Sequence, residues 1–204
     1  MNPNSLSDIG NINPDWIGGI NNSFKYKDFT FSFLIDVHQG GQLYSLDMDF
    51  GDYSGLYPET AGKNSLGNPV RSPLGQGGGI ILPGVTADGK ANTVRVDASD
   101  INNGAFPFSS YNSFADKSYV YDAGYVKLRE VAITYSLPKS IIGGIGFVKG
   151  FDVSLTGRNL WIIHKNLPYS DPEQGFASGN ASIGFQVGTY PSLRTLGFNA
   201  IIEF

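Results

Sequence analysis

Alternation of apolar and polar residues with a period of two is the dominant pattern of this chain, and it predicts five long β-strands. The clearest stretch begins at Phe29, where aromatic and aliphatic residues at odd positions alternate with Thr, Ser, Asp and His at most even positions. We expect strands at about residues 15–26, 29–38, 119–137, 151–161 and 193–204. The segments 29–37 and 196–204 each match the ~9–11 residues of a membrane-spanning strand.

The third predicted strand contains a conflict of parity. From Val131 onward the apolar residues occupy odd positions, but Lys127 and Arg129 are odd as well. Either a β-bulge near Arg129 and Glu130 reverses the alternation, or the strand rises out of the apolar zone at this point. The length of the strand favours the second interpretation.

The connections between the predicted strands alternate in length. Strands one and three are followed by turns, whereas strands two and four are followed by loop two (39–118) and loop four (162–191). Both long loops therefore leave the same end of the sheet. Such loops are rare in compact soluble domains, but outer-membrane barrels combine short periplasmic turns with long extracellular loops. The predicted fold is an all-β, antiparallel, up-and-down transmembrane β-barrel segment with long extracellular loops.

Composition narrows the class of protein further. Gly, Pro, Ser and Asn make up about 36% of the 204 residues, which suits strands joined by loops and excludes a helical domain. The chain has no Cys, a net charge of −4 and no run of Lys or Arg, so we expect neither a disulfide scaffold nor a nucleic-acid partner. The segment that begins at Met1 does not resemble a signal peptide, and an exported β protein needs one. We therefore expect either that the protein stays in the cytoplasm or that the chain is a piece of a longer protein.

Four sequence motifs occur in a fixed order along the chain. They are N-P-D-W-I-G-G at 13–19, Y-V-K-L-R at 125–129 with Y-S-L-P at 135–138, G-R-N-L-W at 157–161 with D-P-E at 171–173, and P-S-L-R-T at 191–195 before a terminal Phe204. The motif residues are Asn13, Pro14, Asp15, Trp16, Gly157, Arg158, Asn159, Leu160, Asp171, Pro172 and Glu173. Each piece is weakly specific, but together they resemble the SusC/RagA-type TonB-linked (TonB-dependent) outer-membrane proteins.

This resemblance implies a barrel of about 22 strands whose lumen is plugged. It also implies a SusD-like lipoprotein as partner and energy from the TonB complex, which would act through an N-terminal region missing from this chain. The expected function is import of glycans or peptides across the outer membrane of a Gram-negative, Bacteroidetes-like cell. Residues 1–204 would then supply the last five strands, inactive alone because they leave unpaired edges. We expect no cofactor, no catalytic or metal site and no enzyme.

Aromatic residues in the long loops are the candidate contacts for an oligosaccharide or peptide substrate, or for the lipoprotein. Aromatic rings suit sugars and peptide side chains and anchor protein interfaces. The same rings also suit simple packing of the loops into a compact cap, and this role is favoured. The candidates are Tyr44, Tyr53, Tyr57, Tyr111, Tyr169 and Phe176.

The last strand has a second predicted role. Its alternating apolar residues and aromatic C-terminus resemble the signal that the barrel-assembly machinery recognises, and we expect them to face outer-membrane lipids. These residues are Phe198, Ala200, Ile202 and Phe204. Polar residues of the strands would face the lumen, where they meet water, plug or substrate; examples are Asp36, Arg158, Asn199 and Glu203.

Other chemistry has little support in the sequence. Two His and no Cys leave few members for a nucleophilic site. The acidic run that starts at Asp47 fails the EF-hand pattern, so we expect an acidic loop, with an irregular Ca²⁺ site left open. The segment 75–79 is rich in Gly but lacks the Lys of a phosphate-binding loop, so we expect a flexible tip. The alternative to a transporter is a soluble secreted carbohydrate-binding or adhesin-like β-sandwich, in which two sheets bury the apolar faces.

Overall fold

The computed structural model describes residues 8, 10–98, 116–144, 146–176, 183–188 and 190–204. The strands and α-helices in these ranges are, in chain order, β1 (Trp16–Tyr26), β2 (Phe29–Gln39), β3 (Gln42–Ser45), α1 (Leu46–Tyr53), β4 (Ile80–Ile81), β5 (Arg95–Val96), β6 (Val120–Asp122), β7 (Tyr125–Ser136), α2 (Lys139–Ile142), β8 (Gly150–Lys165), β9 (Phe185–Gln186) and β10 (Thr195–Glu203). Among the described residues, no helix is long and apolar enough to cross a membrane.

The five long strands form one antiparallel sheet in the order β1-β2-β7-β8-β10. Each long strand therefore pairs with the next long strand along the chain, which is the up-and-down arrangement. The β1–β2 hairpin turns through Lys27 and Asp28, and Lys27 adopts the left-handed backbone conformation (φ 52°) that tight hairpin turns favour. The predicted all-β, antiparallel, up-and-down fold class is confirmed. Two small sheets, of order β6-β3-β9 and β4-β5, complete the described structure.

Two strand boundaries differ from the predicted ones. The alternation predicts a strand from about Tyr119, whereas β7 begins at Tyr125. A turn separates β6 from β7, because the Asp122 carboxylate accepts a hydrogen bond from the backbone N–H of Gly124 at 2.6 Å. At the other boundary, β8 continues past Trp161 as far as Lys165, so the part of loop four outside the sheet is shorter than predicted.

A β-bulge resolves the conflict of parity in β7. Leu34 of β2 lies opposite Glu130 and Ile35 lies opposite Leu128, so Arg129 is an extra residue between the two pairs. The interpretation that the strand rises out of the apolar zone is therefore wrong. The bulge shifts the alternation by one residue, and this places Lys127 on the polar face of the sheet.

The main sheet has one apolar and one polar face. The apolar face consists of even residues 16–26, odd residues 29–37, Val126, Leu128, odd residues 131–135, Val153, Leu155, Trp161 and even residues 196–202. Many of these side chains are exposed, among them Leu196 (82%), Phe198 (70%) and Leu155 (63%). The β-sandwich alternative requires a second sheet over this face, and the described residues form none there.

The chain folds as two compact units, one of Gly10–Leu43 with Tyr121–Phe204 and a second that includes Tyr44–Val120. The second unit has its own apolar core around Val70 and Ala98. Within this unit, the side chain of Arg71 links two backbone segments by donating hydrogen bonds to the carbonyl oxygens of Thr60 (2.7 Å) and Gly55 (2.6 Å). Much of loop two is therefore a folded unit.

Two expectations about loop two are wrong. The acidic run belongs to helix α1, which the hydroxyl of Ser45 caps by accepting the backbone N–H of Met48 at 3.2 Å. The acidic run is thus part of an α-helix and not an acidic loop. In the glycine-rich segment, the side-chain amide of Asn64 donates to the carbonyl oxygens of Gly77 (2.8 Å) and Gly79 (2.9 Å). These bonds hold a defined turn where a flexible tip was expected.

Candidate functional site

A buried cation lies on the polar face of the main sheet. The side chain of Lys127, only 3% exposed, reaches from β7 to the Asp171 carboxylate (2.5 Å) and the Glu173 carboxylate (2.7 Å). A buried charge is stable only when it is paired and hydrogen-bonded, and here two carboxylates meet this requirement. The D-P-E and Y-V-K-L-R motifs, far apart in sequence, therefore meet at one point.

Arg129, the bulge residue, extends this contact to the neighbouring strands. Its guanidinium forms an ion pair with Asp36 of β2 and another with Glu173 at 3.0 Å. It also donates to the side-chain oxygen of Asn159 in β8 at 3.0 Å and to the hydroxyl of Tyr125 at 3.4 Å. The bulge thus places one fork-shaped cation where three strands and loop four meet.

Both ends of loop four are held at this place. Asp171, near the start of the loop, accepts hydrogen bonds from the hydroxyl of Ser192, near its end, and from the backbone N–H of Glu173 at 3.0 Å. We call the connected side chains the Lys127 network. Its members are Asp36, Tyr125, Lys127, Arg129, Asn159, Asp171, Glu173 and Ser192.

The two loop carboxylates of the network are held in the charged form. Burial acts to raise the pKa of Asp171, but hydrogen bonds from Lys127, Ser192 and the backbone of Glu173 outweigh it and lower the pKa. Burial likewise opposes ionisation of Glu173, and hydrogen bonds from Arg129 and Lys127 lower its pKa below the usual range. Both groups therefore bind the cations as carboxylates at neutral pH.

A cavity of about 450 Å³ lies beside the network. Its polar lining comes from the main sheet and loop four and comprises Asp36, His38, Tyr125, Arg129 and Glu173. Its remaining lining is mostly apolar and comprises Ile12, Asn13, Pro14, Ile17 and Ile183. The ring of His38, which is 5% exposed, stacks on Tyr125 with 5.4 Å between ring centroids. The N-P-D-W and D-P-E motifs thus border one cavity.

The predicted loop aromatics are dispersed. Tyr44 donates to the Asp49 carboxylate (2.9 Å) and Tyr57 donates to the carbonyl oxygen of Asp47 (3.1 Å), both within the second unit. Tyr169 is 56% exposed, with a left-handed backbone (φ 52°). Tyr111 and the side chains of Tyr53 and Phe176 lie outside the described residues. A contact of these aromatics with substrate or lipoprotein remains a prediction.

The other predicted residues lie where the strand alternation places them. Phe198, Ala200 and Ile202 are exposed on the apolar face, with Phe204 just beyond β10, and Trp16 lies on the same face at 52% exposure. Arg158 is on the polar face and pairs with Glu130 at 3.0 Å. Within the described ranges, no group of three or more His or acidic residues is arranged to hold a metal ion.

The prediction did not identify the charged members of β7 as a site. In the sequence, Lys127 and Arg129 interrupt the alternation and belong to the Y-V-K-L-R motif, and the interruption is the signal that could have revealed the site. A Lys in line with the residues of the apolar face would be costly in a membrane-spanning strand unless the register shifts to bring it to the polar side. The D-P-E motif supplied the matching acidic residues, but its distance in sequence concealed the pairing.

Comparison with known proteins gives relatives along nearly the whole chain. TonB-dependent receptor P3 of Formosa agariphila is 26% identical over 203 residues, and TonB-dependent receptor P26 of the same organism is 28% identical over 205 residues. Each alignment covers 96% of this chain, which spans only 17% and 18% of the length of these relatives. No protein-family model matches the chain.

Solved structures show the same fold. The RagAB peptide importer in its open-open state matches 95% of this chain with a TM-score of 0.58 and 19% identity, over 17% of the length of its own chain. The closed-closed state matches 93% with a TM-score of 0.55. The relatives are named as receptors and importers, in agreement with the prediction that the chain is not an enzyme. Motifs, sequence and fold thus agree, and the resemblance to SusC/RagA-type TonB-dependent outer-membrane receptors is confirmed.

Proposed function

We propose that this chain forms a stretch of the wall and part of the outer mouth of a TonB-dependent outer-membrane transporter. The division of the main sheet into an exposed apolar face and a charged polar face carries the proposal. An apolar surface of this extent is unfavourable in water and favourable against lipid tails. The opposite face then borders a hydrated lumen, where the Lys127 network is tolerated.

The orientation of the proposed wall follows from its loops. Loop two leaves the sheet after β2 and loop four leaves it after β8, at the same end of the antiparallel sheet. Long loops of outer-membrane barrels are extracellular, so this end faces outward. A SusD-like lipoprotein acts there as the partner, and the TonB complex acts through a part of the protein outside this chain. RagAB is a peptide importer, which favours peptides over glycans as the substrate.

A pair of single cysteines tests the placement of the wall. Phe198→Cys lies on the apolar face and its neighbour Asn199→Cys on the polar face, and the natural chain has no Cys. In the full-length protein in outer membranes, a charged maleimide should label Asn199→Cys much faster, whereas a lipid-soluble maleimide should prefer Phe198→Cys. Equal labelling of both positions by the charged reagent would contradict the proposal.

Uptake of labelled substrates tests the transport itself. Cells that lack the full-length protein should lose uptake of fluorescent oligopeptides and should regain it when the gene is restored. Purification of the full-length protein under mild conditions should also recover a lipoprotein. Normal peptide uptake with lost oligosaccharide uptake would assign glycans as the substrate, and unchanged uptake of both would reject a transport function.

The assembly role of the last strand is tested separately. Deletion of Phe204 from the full-length protein should reduce its surface display, because the aromatic end of the signal is lost. Phe204→Tyr, which keeps an aromatic C-terminal residue, is the matched control and should leave display intact. Unchanged display without Phe204 would remove the assignment.

A further inference from the structure

The two cations of the Lys127 network have few donors left for a ligand. A guanidinium has five N–H groups, and those of Arg129 point to Asp36, Tyr125, Asn159 and Glu173. Asp36 receives two of these hydrogen bonds, so all five donors are used. Lys127 is 3% exposed and binds two carboxylates. The cavity beside the network is therefore a poor site for an anion.

The carboxylates of Asp36 and Glu173, which line the cavity, each have one oxygen available to accept a hydrogen bond from a ligand. Asp36 accepts hydrogen bonds from Arg129 and Tyr125 on Oδ2, and Glu173 accepts those from Lys127 and Arg129 on Oε2. Among the described residues, no donor reaches Asp36 Oδ1 or Glu173 Oε1. The Asp36 and Glu173 side chains are 22% and 36% exposed, so a ligand can approach them. The cavity thus offers two partly charged oxygens to a hydrogen-bond donor.

The rest of the cavity suits an aliphatic chain. Ile12, Ile17 and Ile183 line it and are 41%, 66% and 38% exposed. A volume of about 450 Å³ falls within the range of sites for small ligands, which combine apolar walls with a few polar groups. Lysine and arginine side chains have this composition, with a long apolar stem and a cationic head.

We propose that this cavity binds a lysine or arginine side chain of a peptide, with its cationic head at Asp36 and Glu173 and its stem along the isoleucines. This inference rests on the proposed transport function and adds to it a preference for peptides that carry a basic residue. The cavity lies on the polar face at the end of the sheet where loop four begins. A peptide that enters the outer mouth therefore meets this cavity early.

Two peptides that differ by one charge provide the test. Acetyl-Ala-Ala-Lys-Ala-Ala-amide and the same peptide with norleucine in place of Lys are titrated by calorimetry into the detergent-purified full-length protein. The lysine peptide should bind at least about tenfold more tightly, which is the usual effect of a hydrogen bond between charged groups. Asp36→Asn and Glu173→Gln should reduce this ratio, and Glu130→Gln, whose carboxylate pairs with Arg158 outside the cavity, should preserve it.

A second variant avoids the network altogether. Ile17→Trp fills the cavity from an exposed position of β1 and should weaken the lysine peptide about tenfold while the fold persists. Equal affinity of the two peptides for the natural protein, including no binding of either, would overturn the inference, as would unchanged affinity in Ile17→Trp.

Failure of the proposed function gives a different result. In that case lysine-selective binding persists in the purified protein, while cells without the protein take up both peptides normally.

Discussion

At the scale of residues, the buried side chain of Lys127 holds loop four through its ion pair with Asp171, and substitution of Lys127 should destabilise the loop. In Lys127→Met, the Asp171 carboxylate loses its cation, a change that typically costs about 3–5 kcal/mol at a buried pair. Limited proteolysis of the full-length protein should then cleave within residues 168–190 at least about a hundredfold faster. Arg158→Gln is the control, because its exposed pair with Glu130 contributes at most about 1 kcal/mol. If Lys127→Met is cleaved at the rate of the natural protein, the ion pair between Lys127 and Asp171 does not stabilise loop four.

The same residues predict a dependence on pH. The folded pKa values of Asp171 and Glu173 are lowered, so their contacts stabilise loop four fully above the ordinary carboxyl values of about 4. This stability is lost as the pH falls through the folded values. Pepsin cleavage of loop four should therefore rise steeply below about pH 4, beyond the protease's own pH dependence on an unfolded substrate. In the double variant Asp171→Asn, Glu173→Gln this rise in cleavage should be weaker. If the pH dependence of cleavage is the same as in the natural protein, these two carboxylates are not the groups that stabilise loop four.

At the scale of elements, the bulge in β7 decides which side chains lie on the polar face. Deletion of Arg129 removes only the extra residue between Leu128 and Glu130, so every other side chain of β7 keeps its face. Outer-membrane insertion of the full-length protein should therefore persist. Deletion of Ala132, which lies in a regularly paired part of β7, reverses the alternation instead. Polar residues on one side of that deletion must then turn toward lipid, which costs about 2–4 kcal/mol for a charged residue at mid-membrane, so insertion should fall sharply. Equal insertion of the two deletion variants would contradict this role of the register.

At the scale of the whole molecule, the exposed apolar face and the edges of the main sheet predict how the chain behaves alone. Expressed without detergent, residues 1–204 should aggregate, because no described strand pairs with the outer edges of β1 and β10 and the apolar face beside them is exposed. Size-exclusion chromatography with and without detergent measures this directly. A soluble, monodisperse chain that unfolds cooperatively in water would favour the secreted β-sandwich instead.

The main sheet could be predicted from the sequence to a greater extent than the Lys127 network. Alternation of the type found in Phe29–Gln39 is local, because side chains of neighbouring residues point to opposite faces of any strand. The two faces, the unequal loops and the four motifs therefore led from the sequence to the fold class and the family. Compact packing of loop two is favoured by its sequence, but the position of its core is not predicted, because Val70 and Ala98 follow no regular pattern.

The sequence by itself determined the strands, the apolar side of the sheet and the resemblance to TonB-dependent receptors, because each depends on neighbouring residues or on motifs. Only the tertiary structure decided that Arg129 is a bulge and that Lys127 meets Asp171 and Glu173, which lie 44 and 46 positions away. The physical reason is register: a shift of one residue moves a side chain from the apolar to the polar face of the sheet, and register depends on pairing with β2 and β8. The cavity beside the network exists only once those strands are paired.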